Sequence, residues 1–140
     1  KKIGTAKESP FKGGKYNAGI IGGEILSKPF FKDNLSRVSD ALIVSSYNIE
    51  GDYVLSAALF MSGGSTAEEV AVFETDTLKN ADKLKKLIKQ RVENKKKDFE
   101  NYLPQEMPKL NNPLIVQKGK VIILVISDKA DRETILKCIK

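Results

Sequence analysis

Tyr53 to Met61 alternates apolar and small residues, and the stretch from about Asn80 to Leu103 repeats its apolar residues at steps of three and four. That change of period, from two to three and a half, constrains the fold most, because it predicts a strand leading into a long amphipathic helix. In the strand, Leu55, Ala57, Leu59 and Met61 are expected on one face and Val54, Ala58 and Phe60 on the other. Gly63-Gly64-Ser65-Thr66 turns the chain, and Val70 to Phe73 returns as the antiparallel partner. In the helix, Ala81, Leu84, Ile88, Val92, Phe99 and Tyr102 form one stripe that Lys95 interrupts. Asn80 is the expected N-cap, Asp82 falls in the first turn, and Pro104 ends the helix.

A second hairpin follows a connection punctuated by Pro108 and Pro113. Leu114 to Gln117 turns at Lys118-Gly119 into Val121 to Ser127, and a final helix spans about Asp131 to Ile139. Six consecutive apolar residues, Val121 to Ile126, predict a strand covered on both faces. Upstream, Tyr16 to Ser27 has helical spacing weakened by Gly19, Gly22 and Gly23, and Pro29 stops it. Ser39 to Tyr47 is a second short helix, with Ser39 or Asp40 as cap; consecutive Leu42, Ile43 and Val44 leave a strand as the alternative. The fold class is therefore α+β: an antiparallel sheet of about four strands in two hairpins, a long helix across one face, a C-terminal helix and short N-terminal helices. The opposite face needs cover from the N-terminal segments, the last helix or a second copy of the chain. An open face of that kind would allow a homodimer. Hairpin followed by helix occurs twice, but such units look alike without any duplication.

Residues 1–15 carry five lysines against Glu8, with Pro10, Gly13 and Gly14, and read as a flexible basic N-terminal arm; residues 16–140 read as the single domain. At 140 residues and 15.5 kDa the chain can bury roughly two-thirds of its unfolded surface, so a core needs no staple. The longest wholly apolar run is Val121 to Ile126, far short of the roughly 20 residues that cross a bilayer.

The chain contains no histidine and one cysteine, Cys138. Ser–His and Cys–His nucleophile pairs and a Cys/His zinc site are thereby excluded, and no catalytic, cofactor-binding or metal residues are assigned. The chemistry still open is that of carboxylates, lysine or tyrosine in a pocket the sequence does not locate. Gly63-Gly64-Ser65-Thr66 lacks the spacing of a phosphate loop and precedes a strand, so it is a hairpin turn. Glu68-Glu69 with Glu74, Glu50 with Asp52, and Asp128 with Asp131 are read as turn and cap residues, since none has calcium-loop spacing. Cys138 is expected as a buried thiol. Tyr102 is expected to pack on the sheet edge with its hydroxyl bonded.

The one charged cluster with partner potential is Lys79, Lys83, Lys85, Lys86, Lys89, Arg91, Lys95, Lys96 and Lys97. Nine basic residues face only Asp82 and Glu93 in that stretch, a surplus of seven that accounts for the chain's whole net charge of +6. Such a face can meet an anionic surface polymer or lipid, or it can simply be solvated. Nucleic acid is disfavoured, because one arginine among eight lysines and no evident exposed ring make poor base readout.

The stretch Ala58-Leu-Phe-Met-Ser-Gly-Gly-Ser-Thr-Ala-Glu-Glu-Val-Ala-Val-Phe-Glu74 resembles the bacterial family known as domain of unknown function 4358. The likeness continues through Arg91-Val-Glu-Asn-Lys, Asp98-Phe-Glu-Asn-Tyr102, Leu114-Ile-Val-Gln-Lys-Gly119 and Val121 to Asp128. The resemblance implies a small extracytoplasmic protein of the Gram-positive envelope, often a lipoprotein held by a modified N-terminal cysteine. No cysteine lies near Lys1, so that anchor is expected in a segment outside these residues. The family brings no catalytic residues with it. The expected function is a non-catalytic binding or accessory module that contacts another envelope protein or an anionic surface component; the alternatives are an enzyme using Lys, Tyr or carboxylates, and a self-associating structural domain.

Overall fold

The computed structural model describes residues 9–140. The chain runs α1 (Ala18–Leu26), β1 (Ser36–Arg37), α2 (Asp40–Tyr47), β2 (Val54–Met61), β3 (Glu69–Thr75), α3 (Leu78–Tyr102), a 3-10 turn (Pro104–Glu106), α4 (Met107–Asn111), β4 (Leu114–Lys118), β5 (Val121–Ile126) and α5 (Arg132–Lys137). All five strands form one antiparallel sheet in the order β1-β2-β3-β5-β4. The two expected hairpins are present and meet through β3 and β5. The fifth strand, β1, pairs only Ser36 with Met61 and Arg37 with Phe60, too short a stretch for any period to reveal.

Each face of the sheet carries its own core. Ala57, Leu59, Ala71, Phe73, Ile122, Leu124 and Ile126 pack against α2 and the apolar stripe of α3. Ala58, Phe60, Val70, Val72, Val121, Ile123 and Val125 pack against α1 and α5. The second face is thus covered by the N-terminal segment and the last helix, which leaves no open sheet face for a homodimer among the described residues. Because α3 and α5 lie on opposite faces, no rotation that carries one hairpin onto the other also superposes their helices, so the repeated hairpin–helix order is not a simple duplication.

Two local differences have clear causes. A bulge between Val54 and Ser56 shifts the register, so Val54 joins the α3 side with Ala57 and Leu59 instead of the face of Ala58 and Phe60. Helix α3 starts two residues earlier than expected and is capped by Thr77, whose hydroxyl accepts from Asn80 N at 3.0 Å; the Asn80 side chain instead donates to Asp76 at 2.7 Å. Thr77→Ala should therefore cost about 1 kcal/mol and Asn80→Ala much less, by chemical denaturation. The reverse ranking would restore Asn80 as the cap.

Of the expected basic arm, residues 1–8 lie outside the described residues. Beyond them, Phe11 packs on the α3-side core, Gly13 N donates to Leu55 O at 2.7 Å, and Lys15 N and Tyr16 N donate to the Glu74 carboxylate at 2.9 and 3.0 Å. The segment is fastened to the sheet from Phe11 onward.

Candidate functional site

The long helix divides its basic residues between two roles. Lys79, Lys83, Lys86, Lys89 and Lys97 are exposed, and Lys85 and Lys96 are half-buried. Lys96 pairs with Glu93 at 2.9 Å. Arg91 and Lys95 instead turn inward, and Lys95 is only 5% exposed, so these two leave the expected anionic-partner surface. Seven lysines therefore remain to present charge to solvent. Beside them, α3 and β4 enclose a cleft of about 410 Å³. Val92, Pro113 and Ile115 supply its apolar lining, while Lys86, Lys89 and Lys96 stand at its side.

The inward pair meets Glu69 on β3. Arg91 and Lys95 both reach Glu69 Oε1 at 2.8 Å, Arg91 Nε adds a bond to Oε2 at 3.2 Å, and the Tyr47 hydroxyl of α2 donates to Oε2. Lys95 Nζ also donates to Ala67 O at 2.9 Å. Burial alone would lift the Glu69 carboxyl, but Lys95 and then Arg91 overcome it and hold the pKa at about 2. At Lys95 the balance runs the other way: desolvation outweighs the attraction of Glu69 and lowers its pKa. Burial, then the charge of Glu69, raises the Tyr47 phenol well above its ordinary value. Glu69 is ionised, then, and two cations share it. The group clasps α2 and α3 onto β3, and the stripe position that Lys95 seemed to interrupt is filled by its aliphatic stem and its ion pair.

Arg91 and Lys95 also line a shallow cleft of about 310 Å³ with Met61, Gly63, Gly64 and Asp98. Both cations already hold Glu69, and the arrangement offers no nucleophile–base pair, so the clasp is assigned a structural role.

The other acids are more deeply used than turn chemistry predicts. Glu68 is fully buried, accepts from Lys32 N and Asp33 N at 3.0 and 2.9 Å, and meets Lys109 at 3.3 Å. Lys109 also pairs with Glu106 at 2.9 Å, and Glu106 accepts from Ala67 N at 2.7 Å. Glu74 binds the N-terminal segment as described above. The remaining pairs behave as expected at turns and caps: Asp131 caps α5 through Thr134 N at 3.0 Å, Asp128 meets Lys32 at 3.4 Å, and Glu50 and Asp52 are exposed. The Gly63-Gly64-Ser65-Thr66 segment is a turn, with Ser62 Oγ accepting from Gly64 N and Thr66 N. Its neighbour Asp33 accepts from the Ser62 and Ser65 hydroxyls, which lower its pKa. Tyr102 is 61% exposed and bonds Gly64 O at 2.9 Å, so it steadies this turn and not the sheet edge. Cys138 is buried, its thiol on Thr134 O at 3.4 Å and its pKa raised by burial.

The fold and its sites define an α+β domain with a five-stranded antiparallel sheet between two helical layers, an internal ion-pair clasp and an external lysine face. The chain belongs to the family described as Domain of unknown function (DUF4358), whose model matches residues 30–127. That span holds the whole sheet with α2, α3 and α4, while α1 and α5 lie beyond its two ends. No curated protein and no solved structure matches the chain.

Proposed function

We propose that this chain is a non-catalytic binding module of the bacterial envelope, working outside the membrane and engaging an anionic partner through the lysine face of α3. The observation that carries this reading is the division of labour along one helix. Arg91 and Lys95 neutralise Glu69 inside, whereas seven lysines stay on the surface against the four exposed acids of the helix, Asp82, Glu93, Asp98 and Glu100, next to an apolar cleft. Excess charge of one sign on one face attracts the opposite sign and accelerates encounter. The extracytoplasmic setting, and a lipoprotein anchor in a segment outside these residues, are part of this proposal, and the family resemblance is what motivates them. Nucleic acid fits poorly, because the helix's one arginine, the cation best suited to nucleic-acid recognition, is committed to Glu69.

The test offers three anions over a salt series: vesicles rich in acidic lipid, wall polyphosphate and polyglutamate. Wild-type protein should bind at least one, with affinity falling steeply as salt rises. A variant carrying Lys86→Glu, Lys89→Glu and Lys97→Glu should lose that binding with its thermal melt unchanged. Equal binding by the variant, or none by the wild type, overturns the reading. The native protein should also fractionate with membranes or the medium, and purely cytosolic recovery would remove the envelope assignment.

A further inference from the structure

We propose that the cleft between α3 and β4 takes an extended acidic peptide, which adds to the free edge of β4 as a sixth strand. The inference rests on the lysine face being the contact surface, and it names the partner class.

Among the described residues β4 is the last strand of the sheet, hydrogen-bonded to β5 alone. A two-residue turn at Gly119-Lys120, with Gly119 at φ +61°, closes the β4–β5 hairpin on the pair Lys118–Val121. A closing pair in such a turn exchanges both ladder bonds, and alternation then directs the backbone groups of Ile115 and Gln117 away from β5. The Arg132 guanidinium reaches Ile115 O at 3.3 Å, as an outward carbonyl allows. That bond is long and exposed, so an incoming strand can displace it. The edge offers the outward amides and carbonyls that strand addition uses.

Side chains choose the occupant. Ile115 and Pro113 from the β4 side and Val92 from α3 make an apolar floor, and Lys86, Lys89 and Lys96 outnumber the one acid of the lining, Glu93, in a net cationic rim. Only Lys96 of the three has a carboxylate partner among the described residues. An extended peptide alternating apolar and acidic residues satisfies floor, rim and edge together. A second copy of this chain does not, since pairing β4 with β4 would bring two such lysine rims together on one face of the joined sheet. A lipid headgroup or a wall polymer uses the rim alone and leaves the backbone edge unmet.

The experiment follows anisotropy of a dye-labelled octapeptide of alternating Glu and Val, with amide hydrogen exchange read at Ile115 and Gln117. Wild-type protein should bind it, and both amides should slow. The same peptide with alternate backbone nitrogens methylated keeps its charge but cannot pair, and should bind more weakly by about tenfold or more. Gln117→Pro removes one outward amide at an edge position that tolerates proline, and should weaken the octapeptide while sparing salt-sensitive binding to polyglutamate. Lys89→Glu should weaken both.

Equal affinity for the methylated peptide, or unchanged exchange at Ile115 and Gln117, overturns strand addition. Because exchange is read on wild-type protein, a poorly folded Gln117→Pro variant does not obscure the result. Binding to acidic vesicles without binding to the octapeptide sinks this inference and leaves the proposed function standing. Failure to bind any of the anions sinks both.

Discussion

Glu69→Gln is expected to cost about 3–5 kcal/mol of stability, with a fall in melting temperature on the order of 10 °C. The side chain changes by one heavy atom and keeps its shape. What changes is that Lys95, buried on α3, loses its counter-ion and must carry an unpaired charge or give up its proton, while Arg91 loses a bidentate partner. Pairing two charges in a low-dielectric interior contributes little net, but stranding one of them is costly. A second variant separates the two effects. With Lys95→Met added, the unpaired charge is gone and much of the lost stability should return, giving a strong non-additive coupling in the double-mutant cycle. Strict additivity, or a loss below about 1 kcal/mol for Glu69→Gln, would mean that water reaches the clasp and screens it.

The same carboxylate sets an acid limit. Its folded pKa of about 2 lies below the ordinary value of 4.5. A depressed acid contributes stability that is fully present above the unfolded value and is lost as pH falls through the folded one. Wild-type stability from this group should therefore hold above about pH 4.5 and drain away towards pH 2, whereas Glu69→Gln should lack that part of the acid transition.

The clasp shows where sequence reasoning reaches and where it stops. The stripe of α3, both hairpins and the doubly covered β5 follow from periodicity, because each reflects which side of an element meets water. Glu68, Glu69 and Glu74 look like ordinary polar ends of a short strand, and their burial depends on cations and amides distant in sequence, which no period encodes. One signal was present. Lys95 stands at an apolar position of an otherwise regular stripe, four residues after Arg91, and a cation in such a place calls for a buried carboxylate. The lysine face was legible as a charge surplus, but not which cations would leave it. That division is set by the angle of each residue around the helix relative to β3. The cleft beside β4 was not legible, because it arises between residues 86–96 and 113–115, which only the closed sheet brings together.

Helix α1 carries the second large effect, and it reverses the usual reading of glycine in a helix. Gly22→Ala should destabilise the protein by about 1–3 kcal/mol, while its neighbour Gly23→Ala should stabilise it by about 0.5–1 kcal/mol. Helix propensity favours alanine equally at both positions, so the difference lies in packing. A Cβ on Gly22 would stand 2.3 Å from Cε1 of Phe60 and 3.1 Å from two further ring atoms, whereas a Cβ on Gly23 meets nothing within 4 Å. Phe60 has little room to yield: its ring is 7% exposed in the core beneath α1, with the Arg37 guanidinium 6.0 Å from its centroid. Gly19 is an intermediate case, since its Cβ would meet the mobile end of Arg37 at 2.4 Å, which can swing aside. The glycines that weaken α1 as an isolated helix are thus not equivalent: Gly22 lets the helix approach β2 closely enough to close the second face of the sheet. Denaturant midpoints of the two alanine variants, at equal slope, decide it. If both variants gain stability alike, α1 rides higher on the sheet than this contact requires, and the covered second face would have to be reconsidered.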